Sequence, residues 1–446
     1  MTVFDIVPHL FLVFQDGIEQ QEFQTQAEAE THAELLFEAC SQSCMVSYIE
    51  PGNRHVAVIA PPPPPPGELP SWLEAAQDHE WISLNAPIPD PLEQFPSWSL
   101  GEALSGADYH TGIIDGWSGA VATDDSLVVG LVGGHRGSAQ NTIYKIRLDV
   151  ENPDWQWYGT DPALFDVPSH HPGTIADWIN EERVPYYSDG RPTAAHTYNH
   201  LAYVPSGDYI FRPYAIWVWS GSQNTTGRQA DAAAYFLSGV RYAVQGEFPD
   251  YPARLSVGGL TEWNPATQSV WSFNTSGPGD GPRRGIMEFD PSAKVWTVHG
   301  TVASGSYSSD TQGGTIDPGR QIMLVNTTAE LVVIDLLNPG QSVLVNATNV
   351  PNGDIGMDYE PVGGSVIGYD GSLHKLDIPA NYRDSQGNLQ QVPYNWVPVT
   401  EIGQTSAPNP QGTYGRFRYI PAIKAFAVIN DVNGPLWVYK VPQQGL

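Results

Sequence analysis

A mainly β chain is predicted, built as a β-propeller of six blades, with seven as the alternative count, behind a small α+β domain. Three observations carry this. The 446 residues include 39 prolines, 44 glycines and 11% aromatic side chains against 15% charged ones, a composition of short strands and tight turns rather than of helices. A unit in which an extended run ends in Pro and a small residue, and a new apolar strand begins, recurs along the chain. The two ends of the large region also supply complementary pieces of one blade.

Residues 1–60 read as the small ββαββ domain. Leu10–Gln15 and Ile18–Phe23 are β-rich runs around Asp16-Gly17, a pair that accepts the positive φ angles of a two-residue hairpin turn. Thr25 caps a predicted helix through AEAETHAELLFEAC, in which Ala33, Leu36 and Phe37 share a face. Two further strands, Met45–Tyr48 and His55–Ile59, flank Pro51-Gly52-Asn53. Cys40 and Cys44, the two cysteines of the chain, fall at the end of that helix and read as packing residues.

Six consecutive prolines, Pro61–Pro66, form a stiff polyproline II rod, a spacer between this domain and the rest. The propeller then spans residues 67–446. Its hairpins are read at Tyr203-Val204-Pro205-Ser206, Phe289-Asp290-Pro291-Ser292, Ile316-Asp317-Pro318-Gly319, Tyr359-Glu360-Pro361-Val362 and Tyr419-Ile420-Pro421-Ala422. Ala122-Thr123-Asp124-Asp125-Ser126 takes the sixth place without proline. The spacing is uneven, with 27 residues between Pro291 and Pro318 but 86 between Pro205 and Pro291. At the C-terminal end GRFRYIP, KAFAVIND and PLWVYKVP supply three strands. The lone strand 80–85, containing Glu80-Trp81-Ile82-Ser83-Leu84, is expected to complete that last blade and close the ring.

Charge narrows the function classes. Twenty basic against 49 acidic residues give a net charge of -29, which repels nucleic acid and anionic lipid, so neither nucleic-acid binding nor membrane insertion is expected. The opening MTVFDIVPHLFLVFQDG lacks a basic n-region and a small-residue cleavage site, which predicts a chain made and folded in a cytoplasm.

GGHRGSAQNTIYKIRLDVENPDWQW, with Gly133-Gly134, Tyr144 and Trp155, resembles a kelch repeat. RPTAAHTYNHLAYVPSGDYIF is similar to the inner strands of kelch blades in the galactose-oxidase central-domain superfamily. The resemblance covers residues 110–441 and implies the propeller; enzymes and binding modules share that fold. Galactose oxidase-like enzymes hold copper with Tyr and His and cross-link one Tyr to Cys. Here both cysteines lie in the N-terminal domain, so no cofactor is expected. The order of small domain, spacer and terminal propeller also resembles an appendage protein of a tailed bacteriophage. That resemblance implies a virion location, several copies per particle, and other virion proteins as partners of residues 1–60.

Placing the start of each inner strand and the loop between second and third strands at one mouth collects His110, His135, Arg136, His196, Tyr198, His200, Arg283, Arg284, Arg416 and Arg418. His196, Tyr198 and His200 are expected to alternate along one strand and point the same way. Arg pairs carboxylate and sulfate bidentately, so this funnel predicts an anionic surface polysaccharide as ligand, with Trp117, Trp217 and Trp219 as stacking platforms. His170-His171 with Asp177 read as a turn, not a metal site, and Asp124-Asp125 and Glu181-Glu182 as solvated surface. The expected function is therefore structural and binding, without catalytic or metal residues. The rival is a lyase or hydrolase of acidic polysaccharides that uses His196, Tyr198 and His200, with Arg416 neutralising a uronate.

Overall fold

A computed structural model describes residues 69–89, 113–114, 118–130, 143–156, 192, 195–214, 232–238, 241–252, 259–274, 285–302, 313–326, 331–351 and 355–446. It describes the backbone alone of 157–160, 215–216, 228–229 and the strands His9–Phe14, Gly17–Glu22, Cys44–Glu50 and Asn53–Ile59. The two expected N-terminal hairpins are present in that backbone, Phe14 opposite Gly17 and Glu50 opposite Asn53. Cys44 opens a strand rather than ending a helix. The expected helix after Thr25, Cys40 and the proline rod lie outside the described residues. Val56 pairs with Gly159, so the small sheet continues the outer edge of the first blade.

Six antiparallel blades follow. Their inner strands are Ala120–Ala122, Ala202–Val204, Gly259–Asn264, Gly313–Asp317, Gly356–Glu360 and Phe417–Ile420, numbered here as blades 1 to 6. Each is followed outward by three more strands, as in Ile322–Asn326, Leu331–Asp335 and Ser342–Val345 of blade 4. Blade 5 carries an extra parallel edge strand, Ala347–Thr348, beside Tyr394–Pro398.

The apolar side chains form six clusters, one between each pair of neighbouring blades, and strand periodicity explains why. Successive residues point to opposite faces, and in a blade both faces meet a neighbour. Met323 and Val325 pack toward blade 3, whereas Ile322 and Leu324 pack toward blade 5. In blade 6, Phe426 and Val428 face blade 5, while Ala425, Ala427 and Ile429 face blade 1. Second strands are therefore buried on both faces, and every residue of Ile322–Asn326, Ser365–Tyr369 and Ala425–Ile429 is buried. Aromatic rings bridge the interfaces face to face, Phe211 on Phe289 at 4.8 Å between blades 2 and 3 and Tyr369 on Phe417 at 5.4 Å between blades 5 and 6.

Five of the six expected inner hairpins are correct. The exception is Phe289-Asp290-Pro291-Ser292, which joins the third and fourth strands of blade 3; the inner turn of that blade is Asn264-Pro265. Both turns obey one geometry, which is why they look alike in sequence. A proline starts the turn, and the residue three places on adopts left-handed φ: Asp208 at 47°, Gln268 at 56°, Lys294 at 53°, Gln321 at 52°, Gly364 at 67° and Lys424 at 49°. With Pro265 in place, intervals of 60 and 53 residues replace those of 86 and 27 between Pro205 and Pro318.

The ring closes as the sequence implies. Strand Trp81–Leu84 is the outermost strand of blade 6, with Leu84 opposite Leu436 and Trp81 opposite Tyr439. Trp81 wedges its ring against Tyr439 at 5.2 Å and Tyr369 at 5.8 Å, and its indole N–H donates to Glu401 at 2.5 Å. Trp81→Ala is expected to lower stability by about 3–5 kcal/mol, read as a fall in the urea midpoint at unchanged slope. A loss below about 1 kcal/mol would show that the ring holds without this strand.

Candidate functional site

Inner strands of a propeller converge on the axis, and here the residue three places before each turn proline faces it: Ala202, Glu262, Thr315, Asp358 and Arg418. Their polar groups form one network that reaches every blade. Arg418 donates through Nε to the carbonyls of Ala120 in blade 1, at 3.1 Å, and of Gly415, at 2.9 Å. Its Nη1 ion-pairs with Glu262 of blade 3 and stands 4.0 Å from Asp358 of blade 5. Its Nη2 donates to Oδ1 of Asn199, just before blade 2, at 3.3 Å, and the Asn199 amide donates to the Gly314 carbonyl of blade 4 at 3.1 Å. Asp358 in turn accepts from the backbone N–H of Tyr419 at 2.7 Å and of Tyr359 at 2.8 Å.

Two carboxylates thus share one guanidinium. Burial pushes the Glu262 carboxyl up to about 7; Arg418 opposes that rise and the charge of Asp358 adds to it. Burial also raises Asp358 above the usual carboxylate range, against the pull of Arg418 and two backbone N–H donors. The Glu262 side chain keeps 13% of its surface accessible and that of Asp358 17%, because both form the floor of a cleft.

That cleft, of about 330 Å³, opens on the side of the inner turns. Residues two places before the turn prolines make its walls, Tyr203, Trp263, Ile316, Tyr359 and Tyr419, and Asp124 stands exposed on the rim. The cleft lies at the opposite end of the axis from the expected funnel.

At the funnel end the described candidates serve the fold. His196, Tyr198 and His200 do not alternate along a strand: Tyr198 takes a left-handed φ of 44° in a turn closed by a 2.7 Å hydrogen bond from His200 N–H to the Thr197 carbonyl. Their side chains are buried and separated, His196 against the Tyr198 hydroxyl at 3.2 Å and His200 against the Tyr214 hydroxyl at 2.9 Å. Tyr198 meets Tyr414, also left-handed, edge to face at 5.4 Å. Gly119 admits this turn, since a Cβ there would stand 2.2 Å from the Tyr198 carbonyl oxygen. Arg416 is fully buried and donates to the carbonyls of Ile114, Ser118, Gly412 and Ile429. Of the expected cluster, the structure brings together His196 with Tyr198 and places Arg418 in the hub. His110, His135, Arg136, Arg283 and Arg284 lie outside the described residues, as do Trp117, Trp217, Trp219, His170, His171 and Asp177. Among the described residues no group of three or more His, Cys, Asp and Glu is arranged to hold a metal ion.

Sequence reasoning missed Glu262, Asp358, Thr315 and Asn199. The signal that finds the first three is the fixed offset from the turn prolines, available once Pro265 replaces Pro291.

No protein-family model and no curated protein matches the sequence. Among solved structures, the chain is similar to the extracellular domain of the B. thetaiotaomicron protein BT4673, named as a one-component system, at 10% identity and a TM-score of 0.34 over 72% of this chain and 32% of that one. It is also similar to a fungal alcohol oxidase of the AA5 family in complex with copper, at 13% identity and a TM-score of 0.37 over 74% of this chain and 64% of that one. This chain therefore matches about a third of the first structure and under two thirds of the second.

A carboxyl with a raised folded pKa binds more protons folded than unfolded. Its stabilising contribution is complete below the unfolded value of 4.5 and is lost as pH rises through about 7. Urea midpoints at pH 5.5 and 8 are expected to show wild type gaining on Glu262→Gln at the lower pH, whereas a pH-independent gap would overturn this assignment. Arg418→Met leaves both carboxyls buried without their cation and is expected to lose about 3–5 kcal/mol at pH 8, and less at pH 5.5.

Proposed function

We propose that this chain is a kelch-like, non-catalytic structural and binding protein of a tailed-phage virion. Residues 1–60 dock it on the particle, and the propeller presents a surface to a host glycan or partner protein. The observation that carries the reading is the use of His196, Tyr198, His200 and Arg416, the groups best suited to catalysis at the expected funnel, as enclosed struts bonded within the fold. A general acid or base must reach a substrate proton, and enclosed groups do not.

One feature favours the rival polysaccharide-degrading enzyme: Glu262, a cleft carboxyl with its pKa near 7, has the property of a general acid. The two readings separate experimentally. Native protein sedimented from its source lysate is expected to travel with a large particle containing capsid or tail proteins, identified by mass spectrometry. Sedimentation alone near 48.6 kDa, or turnover of an acidic polysaccharide that is lost in Glu262→Gln, would overturn the proposal.

A further inference from the structure

The cleft at the turn end of the axis has the shape and the charge of a ligand site, and they do not fit an anion. Four aromatic residues, Tyr203, Trp263, Tyr359 and Tyr419, and Ile316 line its walls around about 330 Å³. Space of that size admits a single sugar ring, and aromatic faces pack on the C–H faces of such rings. The floor holds two carboxylates against one guanidinium, and Asp124 adds a third negative group at the rim. Arg418, which also lines the cleft, has its Nε and Nη2 bonded to Ala120, Gly415 and Asn199, and its Nη1 faces Glu262 and Asp358. Three acidic side chains, Glu262, Asp358 and Asp124, thus face one guanidinium at the cleft, inside a chain that is itself strongly acidic. A carboxylate or sulfate entering here meets repulsion, whereas an ammonium supplies the positive charge that the floor lacks. Its N–H groups find carboxylate acceptors, beside aromatic residues that line the walls.

We propose that the axial cleft binds an amino sugar carrying a free ammonium group, with the pyranose ring against the aromatic walls and the ammonium at the Glu262–Asp358 floor. This rests on the glycan-binding part of the function proposed above. It moves the contact to the opposite end of the propeller and reverses the charge of the ligand.

Calorimetric titration of the full chain at pH 7.5 with glucosamine, N-acetylglucosamine, glucose, glucuronate and methylammonium tests it. Glucosamine is expected to bind, with N-acetylglucosamine, glucose and glucuronate each at least about tenfold weaker, since each lacks the charge-assisted contact. Methylammonium, which has no ring to stack, is expected to fall short by a similar factor of about ten. Glu262→Gln is expected to weaken glucosamine about tenfold, and Asp124→Asn, an exposed rim change that leaves the hub intact, about twofold. Equal binding of N-acetylglucosamine or tighter binding of glucuronate would overturn the ammonium assignment, and equal binding of methylammonium would overturn the sugar. No binding of any probe would remove the site. The particle reading fails separately: a chain that travels with virions but ignores glucosamine loses this ligand alone, and one that binds glucosamine yet sediments alone loses the virion.

Discussion

A propeller has no central hydrophobic core, so something other than apolar packing must hold its inner strands at a common radius. In this chain that constraint is the Arg418 guanidinium. A planar group with five donors can satisfy partners in several directions at once, which a lysine ammonium on a flexible stem does less well. Arg418 reaches blades 1, 3, 5 and 6 directly and blades 2 and 4 through Asn199. Isolated buried ion pairs are weak sources of stability, because desolvation offsets their attraction. This one has a different role: it sets the register in which six separate wedges meet.

The wedges themselves are held by the six interblade clusters, and each blade relies on both neighbours. That dependence makes closure of the ring decisive. Without strand Trp81–Leu84, blade 6 would present the backbone edge of Leu436–Lys440 to solvent, and the cluster shared by blades 6 and 1 would lose Leu84 and the segment with Ala86 and Ile88. Joining the beginning of the propeller to its end makes all six interfaces interdependent, so that the hub and the rim support one geometry.

The same geometry decides where chemistry can happen. Tyr198 and Tyr414, both held left-handed, meet edge to face before the inner strands, and His196, His200 and Arg416 are bonded to hydroxyls and carbonyls around them. At the turn end the inner strands splay and leave the aromatic-walled cleft. Two acidic residues share one arginine at its floor, and burial, with a smaller contribution from the charge of Asp358, raises the pKa of Glu262.

Much of the architecture was legible in the sequence because it is written in local rules. Turn prolines mark the corners of blades, uninterrupted apolar runs mark strands buried on both faces, and the unpartnered Trp81 strand answers the three-stranded C-terminal blade. The misread corner at Pro291 shows the limit of such rules, for a proline followed three residues later by a left-handed residue serves inner and outer hairpins equally. The site was less legible. That the described cleft lies at the turn end depends on how the inner strands meet around Arg418, and no local pattern states this. Glu262, Asp358 and Arg418 lie more than 50 residues apart in sequence, and of the three only Arg418 reads from the sequence as an axial residue. By itself the sequence determined the propeller class, the closing strand and the acidic character of the chain, because each follows from composition or near-neighbour spacing, while it left the count between six and seven blades. The tertiary structure alone decided that these three charges meet on the axis, because their proximity is created by closing the ring.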